Sequence, residues 1–216
     1  MSKFDKQIVC VNTADLLEGQ YFQGFMPASH KAYAERICAH MHGRRRGDVE
    51  EDPSVKQLVG YALVVHPNSK TVFGFQRSAD QTKYSEKRLH GKWSWGVGGH
   101  IESIDTGADP VAAGLRRELA EEGGLTDGYT LELLGYINDD RDPIGKVHFG
   151  VLYLVKVDKA DLHPADGELA SGDFLTIDEL REVAASPDCT VEGWSHIALE
   201  PCAAVLSGKP AQPKSF

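Results

Sequence analysis

At 216 residues the chain is long enough to bury one sizeable core and still carry an elaborated terminus. Its 41% hydrophobic and 25% charged residues are the balance of a soluble globular protein, which excludes a disordered chain. A formal net charge of −9 argues against stable nucleic-acid binding, yet it leaves polyphosphates open where divalent cations bridge two sets of negative charge.

No apolar run approaches the roughly 20 residues that cross a bilayer, so no membrane association is expected. The apolar stretch after Lys6 ends at Asn12, too short for the core of a signal peptide, and a cytoplasmic location is expected. Cys10, Cys38, Cys189 and Cys202 are scattered without a CxxC pair; they are expected to be buried free thiols.

In chain order, Gln7 to Asn12 predicts a first strand and Ser29 to His42 a helix ending near Gly43. Arg44 to Pro53 is charged and closes on a helix-breaking proline. It is expected to be a surface connection separating an N-terminal extension, residues 1–57, from a main domain, residues 58–216, with a C-terminal helix and tail. Leu58 to His66 and Thr71 to Gln76 are apolar runs joined through Pro67-Asn68-Ser69, a hairpin signal. Trp93 to Gly99 predicts a short strand, Asp109 to Gly123 a helix, and Leu131 to Asn138 and Lys146 to Val157 two further strands. Thr176 to Ala185 predicts a helix opening on a capping box with Glu179, and Val191 to Leu206 a last helix. The irregular alternation points to a mixed-sheet α/β sandwich.

The helix at Asp109 carries the chemistry. Asp109 is a favoured N-cap, Pro110 suits the first turn, and Gly123-Gly124 closes the element. At 3.6 residues per turn Glu118, Glu121 and Glu122 share an arc of about 100°, beside a buried flank of Ala112, Leu115 and Leu119. Like charges so spaced repel, and a hard divalent cation relieves that cost. The bland alternative is a solvated acidic face with Arg117 and Glu121 as an ordinary i,i+4 pair. Gly98-Gly99, ending the preceding strand, favour the first reading, because glycine lets backbone approach a phosphate closely.

These residues resemble the box of the Nudix family: Gly, five residues, Glu, seven residues, Arg-Glu, an apolar residue, any residue, Glu-Glu, any residue, Gly and an apolar residue. Arg117-Glu118-Leu119-Ala120-Glu121-Glu122-Gly123-Gly124-Leu125 matches its second half, and Gly98-Gly99-His100-Ile101-Glu102 resembles its lead-in. With Asp109 taken as the first acidic position, nine residues separate it from Gly99, so a four-residue insertion is expected around Ser103 to Thr106. The segment Arg88 to Ile101 is similar to a poorly characterised subgroup of predicted phosphoesterases in that family.

The resemblance implies an α/β/α sandwich with a mixed sheet and a magnesium-dependent hydrolase, manganese being the alternative ion. It would cleave a phosphoanhydride bond in a nucleoside diphosphate linked to another moiety. It implies Glu118, Glu121 and Glu122 as metal ligands and water activators, Arg117 as their brace, the Gly99 carbonyl as a further ligand, and an acidic residue from a distant loop, for which Glu168 is the candidate. Arg77, Gly98 and Lys92 are candidates to meet the substrate, as are Lys87 and Arg88. His100 and His148 invite a general-base role against a structural one. Trp93, Trp95 and Tyr136 invite base stacking against a place in the core. The rival readings are a non-catalytic nucleotide-binding module of the same family, which would have lost the glutamates, and an isoprenoid diphosphate isomerase, which needs a cysteine near this helix. Residues 1–57 are open to two roles, a cap on the pocket or a homodimer contact.

Overall fold

The computed structural model describes residues 2–78, 90–160, 162 and 169–215, with backbone alone at 169 and 170. In chain order the elements are β1 (Gln7–Asn12), α1 (Thr13–Leu17), β2 (Gly24–Pro27), α2 (Ala32–His40), β3 (His42–Arg45), α3 (Arg46–Val49), β4 (Val55–His66) and β5 (Thr71–Arg77). There follow β6 (Trp93–Ser94), β7 (Val97–His100), α4 (Pro110–Gly123), β8 (Tyr129–Asn138), α5 (Pro143–Val147), β9 (His148–Val157), β10 (Leu169–Thr176), α6 (Ile177–Ala185) and α7 (Gly193–Leu206).

One mixed sheet runs β10-β5-β4-β9-β8-β2, with β1 and β7 also paired to β4. Strand β4 is its axis. Nearly every residue of it is buried, the pattern of a strand covered on both faces. It runs parallel to β9, from Gln57 opposite His148 to Val65 opposite Lys156, and turns back into β5 as the expected hairpin. Alternate residues serve opposite layers. Leu58, Ala62 and Val64 pack with Val111, Leu115 and Leu119 of α4 and with Leu16 and Tyr33 of the N-terminal helices. Leu63 and Val65 pack with Leu180 of α6 and with Ile197, Ala198 and Cys202 of α7. The result is the expected α/β/α sandwich with a mixed sheet.

The segment expected to be a surface connection is structured: it forms β3 and α3. Strand β3 alternates half-buried and exposed residues with no apolar face, so hydrophobic periodicity could not reveal it. The predicted helix from Ser29 is accordingly shorter, ending at His40 where the chain extends into β3. The stretch Trp93 to Gly99 divides into β6, paired with β5, and β7, paired with β4. Strand β10, which is not among the expected elements, holds Ser171, Gly172 and Asp173. Gly172 is required there, since a Cβ would meet the Phe73 ring at 2.4 Å. Of the four cysteines, Cys10 and Cys202 are buried as expected, whereas Cys189 is half-buried and Cys38 exposed.

Candidate functional site

Helix α4 is built as its sequence dictates. The Asp109 carboxylate accepts from the Ala112 N–H at 3.0 Å, Pro110 occupies the first turn, and Gly124 ends the helix in the left-handed region at φ 64°. Leu115 and Leu119 are buried, which turns the acidic flank toward the end of β7.

Arg117 fastens that flank to the chain before it. Its Nε and Nη2 donate to the two oxygens of Asp105, each at 3.0 Å, and Nη2 also donates to the His100 carbonyl at 3.1 Å. Its Nη1 donates to Glu118 at 2.6 Å and to Glu121 at 3.3 Å. Its chief partner corrects the expected alignment. Five residues separate Gly99 from Asp105, the spacing that the box gives its first acidic position, so Asp105 stands there and Asp109 serves as N-cap. The four extra residues therefore fall after Asp105, in the approach to α4. Counting from Gly99 would have found this; counting back from Arg117 hid it. Gly114 makes the contact possible, because a Cβ there would lie 2.6 Å from an Asp105 oxygen.

Gly99 has the same office for Glu118. A Cβ on Gly99 would lie 2.7–2.9 Å from all three atoms of the Glu118 carboxyl group, so that group rests against bare backbone. Burial raises the Glu118 pKa against the opposing pull of Arg117. Glu122 is half-buried, and Glu121 is 61% exposed. Among the described residues no three His, Cys, Asp or Glu side chains converge as a metal-binding group. The donor chemistry fits a hard cation all the same: carboxylate oxygens from neighbouring turns of one helix meet a backbone stripped of its Cβ.

The cleft of about 280 Å³ lies across β7 from these glutamates. Gly98, Gly99 and His100 of β7 all line it. Gly98 needs both of its freedoms: φ is +147°, and a Cβ would sit 2.0 Å from the Gly60 carbonyl. Val59 and Tyr61 form the floor, flanked by His148, Trp194, Arg77 and Glu192. Arg77 is buried, with Nε 2.9 Å from Glu192 and its guanidinium 5.0 Å from the Phe75 ring centre. Trp194, which sequence reasoning passed over, meets Tyr61 edge to face at 5.5 Å. A stacking aromatic at the start of a predicted helix was the available signal.

The remaining candidates divide. Lys92 does not line the cleft; its carbonyl accepts from the Arg77 N–H at 2.8 Å. Lys87, Arg88 and Glu168 lie outside the described residues. Trp95 and Tyr136 are core residues, and Trp95 Nε1 donates to the Ser195 carbonyl at 2.6 Å. His100 and His148 face each other, Nε2 to Nε2 at 3.0 Å, with His148 Nδ1 donating to the Ile144 carbonyl at 2.7 Å. Burial pushes the pKa of both imidazoles down. The two rings are thus held against each other, with His148 also anchored to the Ile144 carbonyl.

Comparison with known proteins agrees with this geometry. A NUDIX domain profile matches residues 56–191. The chain is 33% identical over 193 residues to Protein YmaB of Bacillus subtilis, covering 84% of this chain and 91% of that one. The crystal structure of Tm1382 superposes with a TM-score of 0.70 at 27% identity, covering 94% of this chain and 99% of the other. The NUDIX domain of Shewanella oneidensis NrtR, solved with ADP ribose, shares the fold at TM-score 0.54 and 16% identity, covering 70% and 88%. The chain belongs to the Nudix family.

Proposed function

We propose that the protein is a divalent-metal-dependent hydrolase, with magnesium as its ion and manganese as an alternative, that cuts a phosphoanhydride bond in a nucleoside diphosphate linked to another moiety. The observation that carries this reading is Arg117 joining Glu118 and Glu121 to the His100 carbonyl at the end of β7, beside a cleft that opens at Gly98. Glu118, Glu121, Glu122 and the Gly99 carbonyl would hold the ion, with Glu168 as a further ligand. When bound, it would supply Lewis-acid stabilisation for charge developing on the phosphate oxygens.

The chain's own groups do the rest. One of the three carboxylates orients a water and accepts its proton as the oxygen attacks phosphorus. The phosphorus–bridging-oxygen bond breaks, and the bridging oxygen leaves with the other phosphate. Arg117 keeps the carboxylates on β7, while Gly98 and Arg77, both in the cleft lining, meet the substrate. Residues 1–57 are read as an extension of the 58–216 domain that walls one end of the cleft. The partner is a small diphosphate, and the NrtR domain, which binds ADP ribose, makes that compound the first choice for assay. No described helix is long and apolar enough to cross a membrane; a cytoplasmic location is part of the proposal.

The test is a panel of nucleoside diphosphate derivatives with magnesium and with manganese, scored by product mass. Metal-dependent release of a monophosphate, lost in Glu121→Gln and Glu122→Gln, is expected. Tight ligand binding without turnover across the panel would make the protein a binding module. Solvent deuterium entering an isoprenoid diphosphate would make it an isomerase.

A further inference from the structure

The cleft is long and its two ends differ. The register aligns Gln57 with His148 at one end, Val59 with Gly150 and His100 in the middle, and Tyr61 with Gly98 at the other. From Gln57 to Tyr61 is about 13 Å at strand spacing. The Tyr61 end is closed by Trp194, Arg77 and Glu192. The Gln57 end is closed by α3, through Gln57 Nε2 donating to the Val49 carbonyl at 3.0 Å. Gln57 Oε1 in turn meets His100 Nε2 at 2.8 Å, so α3 is tied to the strand that bears Gly99.

Among the described residues, two guanidinium groups line this cleft, Arg46 and Arg77. Arg77 is buried against Glu192 and Phe75. Arg46 is held by its inner nitrogen alone, Nε to Glu50 at 3.1 Å, and among the described residues no hydrogen bond or ion pair takes its two outer nitrogens. Its side chain is 15% exposed, so the group is positioned yet accessible. The acids nearby are each engaged: Glu50 by Arg46, Asp139 by Arg141, Glu192 by Arg77, and Asp142 by the Gly145 N–H at 2.8 Å. Their repulsion of an anion is thereby muted, while a planar fork of N–H donors faces the cleft.

We propose that Arg46, supplied from outside the family-matched segment, binds a phosphate group of the substrate at the Gln57 end of the cleft. The inference rests on the hydrolase reading for its substrate class. It makes α3 part of the binding wall and orients the substrate along β4, phosphate toward α3 and the remaining moiety toward Trp194.

The experiment uses the full chain and inorganic pyrophosphate, with and without magnesium, read by calorimetry so that no turnover is needed. Arg46→Gln is expected to weaken binding 10- to 100-fold and Arg46→Lys less, while Arg45→Gln, whose parent pairs with Asp5 and Asp48 away from the cleft, leaves it unchanged. In the unaltered protein pyrophosphate should shield Arg46 from phenylglyoxal, mapped by mass spectrometry, which decides the matter even where a variant fails to fold. Unchanged affinity in Arg46→Gln, unshielded modification of Arg46, or no pyrophosphate binding by the unaltered chain would each overturn the proposal. Absence of hydrolysis across the panel, with Arg46-dependent pyrophosphate binding intact, would instead count against the hydrolase reading alone.

Discussion

Arg117 grips Asp105 as a two-pronged fork, Nε to Oδ1 and Nη2 to Oδ2, each 3.0 Å, with Asp105 almost wholly buried. Bidentate pairs of this kind fix direction as well as distance, and one fork here sets the helix, the strand end and the loop between them. Removing one partner strands a buried charge, which costs about 3–5 kcal/mol. Asp105→Asn is therefore expected to lower stability by that order, Arg117→Lys, which keeps the charge and loses the fork, by less, and both to lower turnover by at least tenfold. Asp109→Ala, losing only an N-cap, is expected to cost about 1 kcal/mol and to spare turnover. Denaturant melts and kinetics on the three variants check this, and equal losses at 105 and 109 would return the box's acidic position to Asp109.

The two glycines of β7 should fail differently. Alanine at Gly99 places its Cβ against the end of a flexible Glu118 side chain, which can swing away. Gly99→Ala is thus expected to fold and to lose activity tenfold or more. Alanine at Gly98 meets the backbone carbonyl of Gly60 at 2.0 Å from a conformation that L-residues rarely adopt, with nothing free to yield. Gly98→Ala is expected to be destabilised by about 3 kcal/mol or more, the combined scale of backbone strain and overpacking. A Gly98→Ala protein as stable as the parent would show that this strand can shift.

What the sequence made legible followed from strong local signals. The α4 boundaries, the β4–β5 hairpin and the capping box of α6, in which Thr176 and Glu179 exchange contacts at 2.7 and 3.3 Å, all have short-range causes. The glutamate flank and its arginine brace came from helical spacing together with a family resemblance. The hidden part depends on partners far along the chain. Strand β3 exists because β1 pairs with it, from Gln7 opposite Arg45 to Cys10 opposite His42, and its own residues alternate without an apolar face. Asp105 needed the fold to show which acid the arginine reaches. Trp194 and Arg46 enter the cleft from opposite ends of the sequence, a convergence that no window of residues can display.

His148 gives the protein a pH signature. Burial is the main cause that lowers its pKa, so the folded state favours the neutral ring more than the unfolded chain does. For a group depressed on folding, stability is complete above the unfolded value near 6.5 and is lost as pH falls through and below it. Each such proton contributes a slope of up to about 1.4 kcal/mol per pH unit. Urea melts from pH 8 to pH 5, without divalent metal, should show falling stability, with a shallower slope in His148→Gln. An identical slope in that variant would mean that the titrating groups lie elsewhere.

The thiols offer a check on packing that does not depend on function. Cys10 lies on β1 and Cys202 inside α7, and burial pushes both thiols up to about 12, so at pH 8 almost no thiolate is present to react. Cys38 is exposed on α2, and Cys189 is half-buried between α6 and α7. Since the thiolate is the nucleophile, a disulfide reagent should titrate Cys38 at once and Cys189 more slowly, and reach Cys10 and Cys202 only in denaturant. Because Cys10 lies opposite Gln57 in the register, its labelling rate also reports whether β1 leaves the edge of β4. Rapid labelling of Cys10 in the native protein would mean that the N-terminal strand opens readily, and with it the attachment of α3 to the cleft.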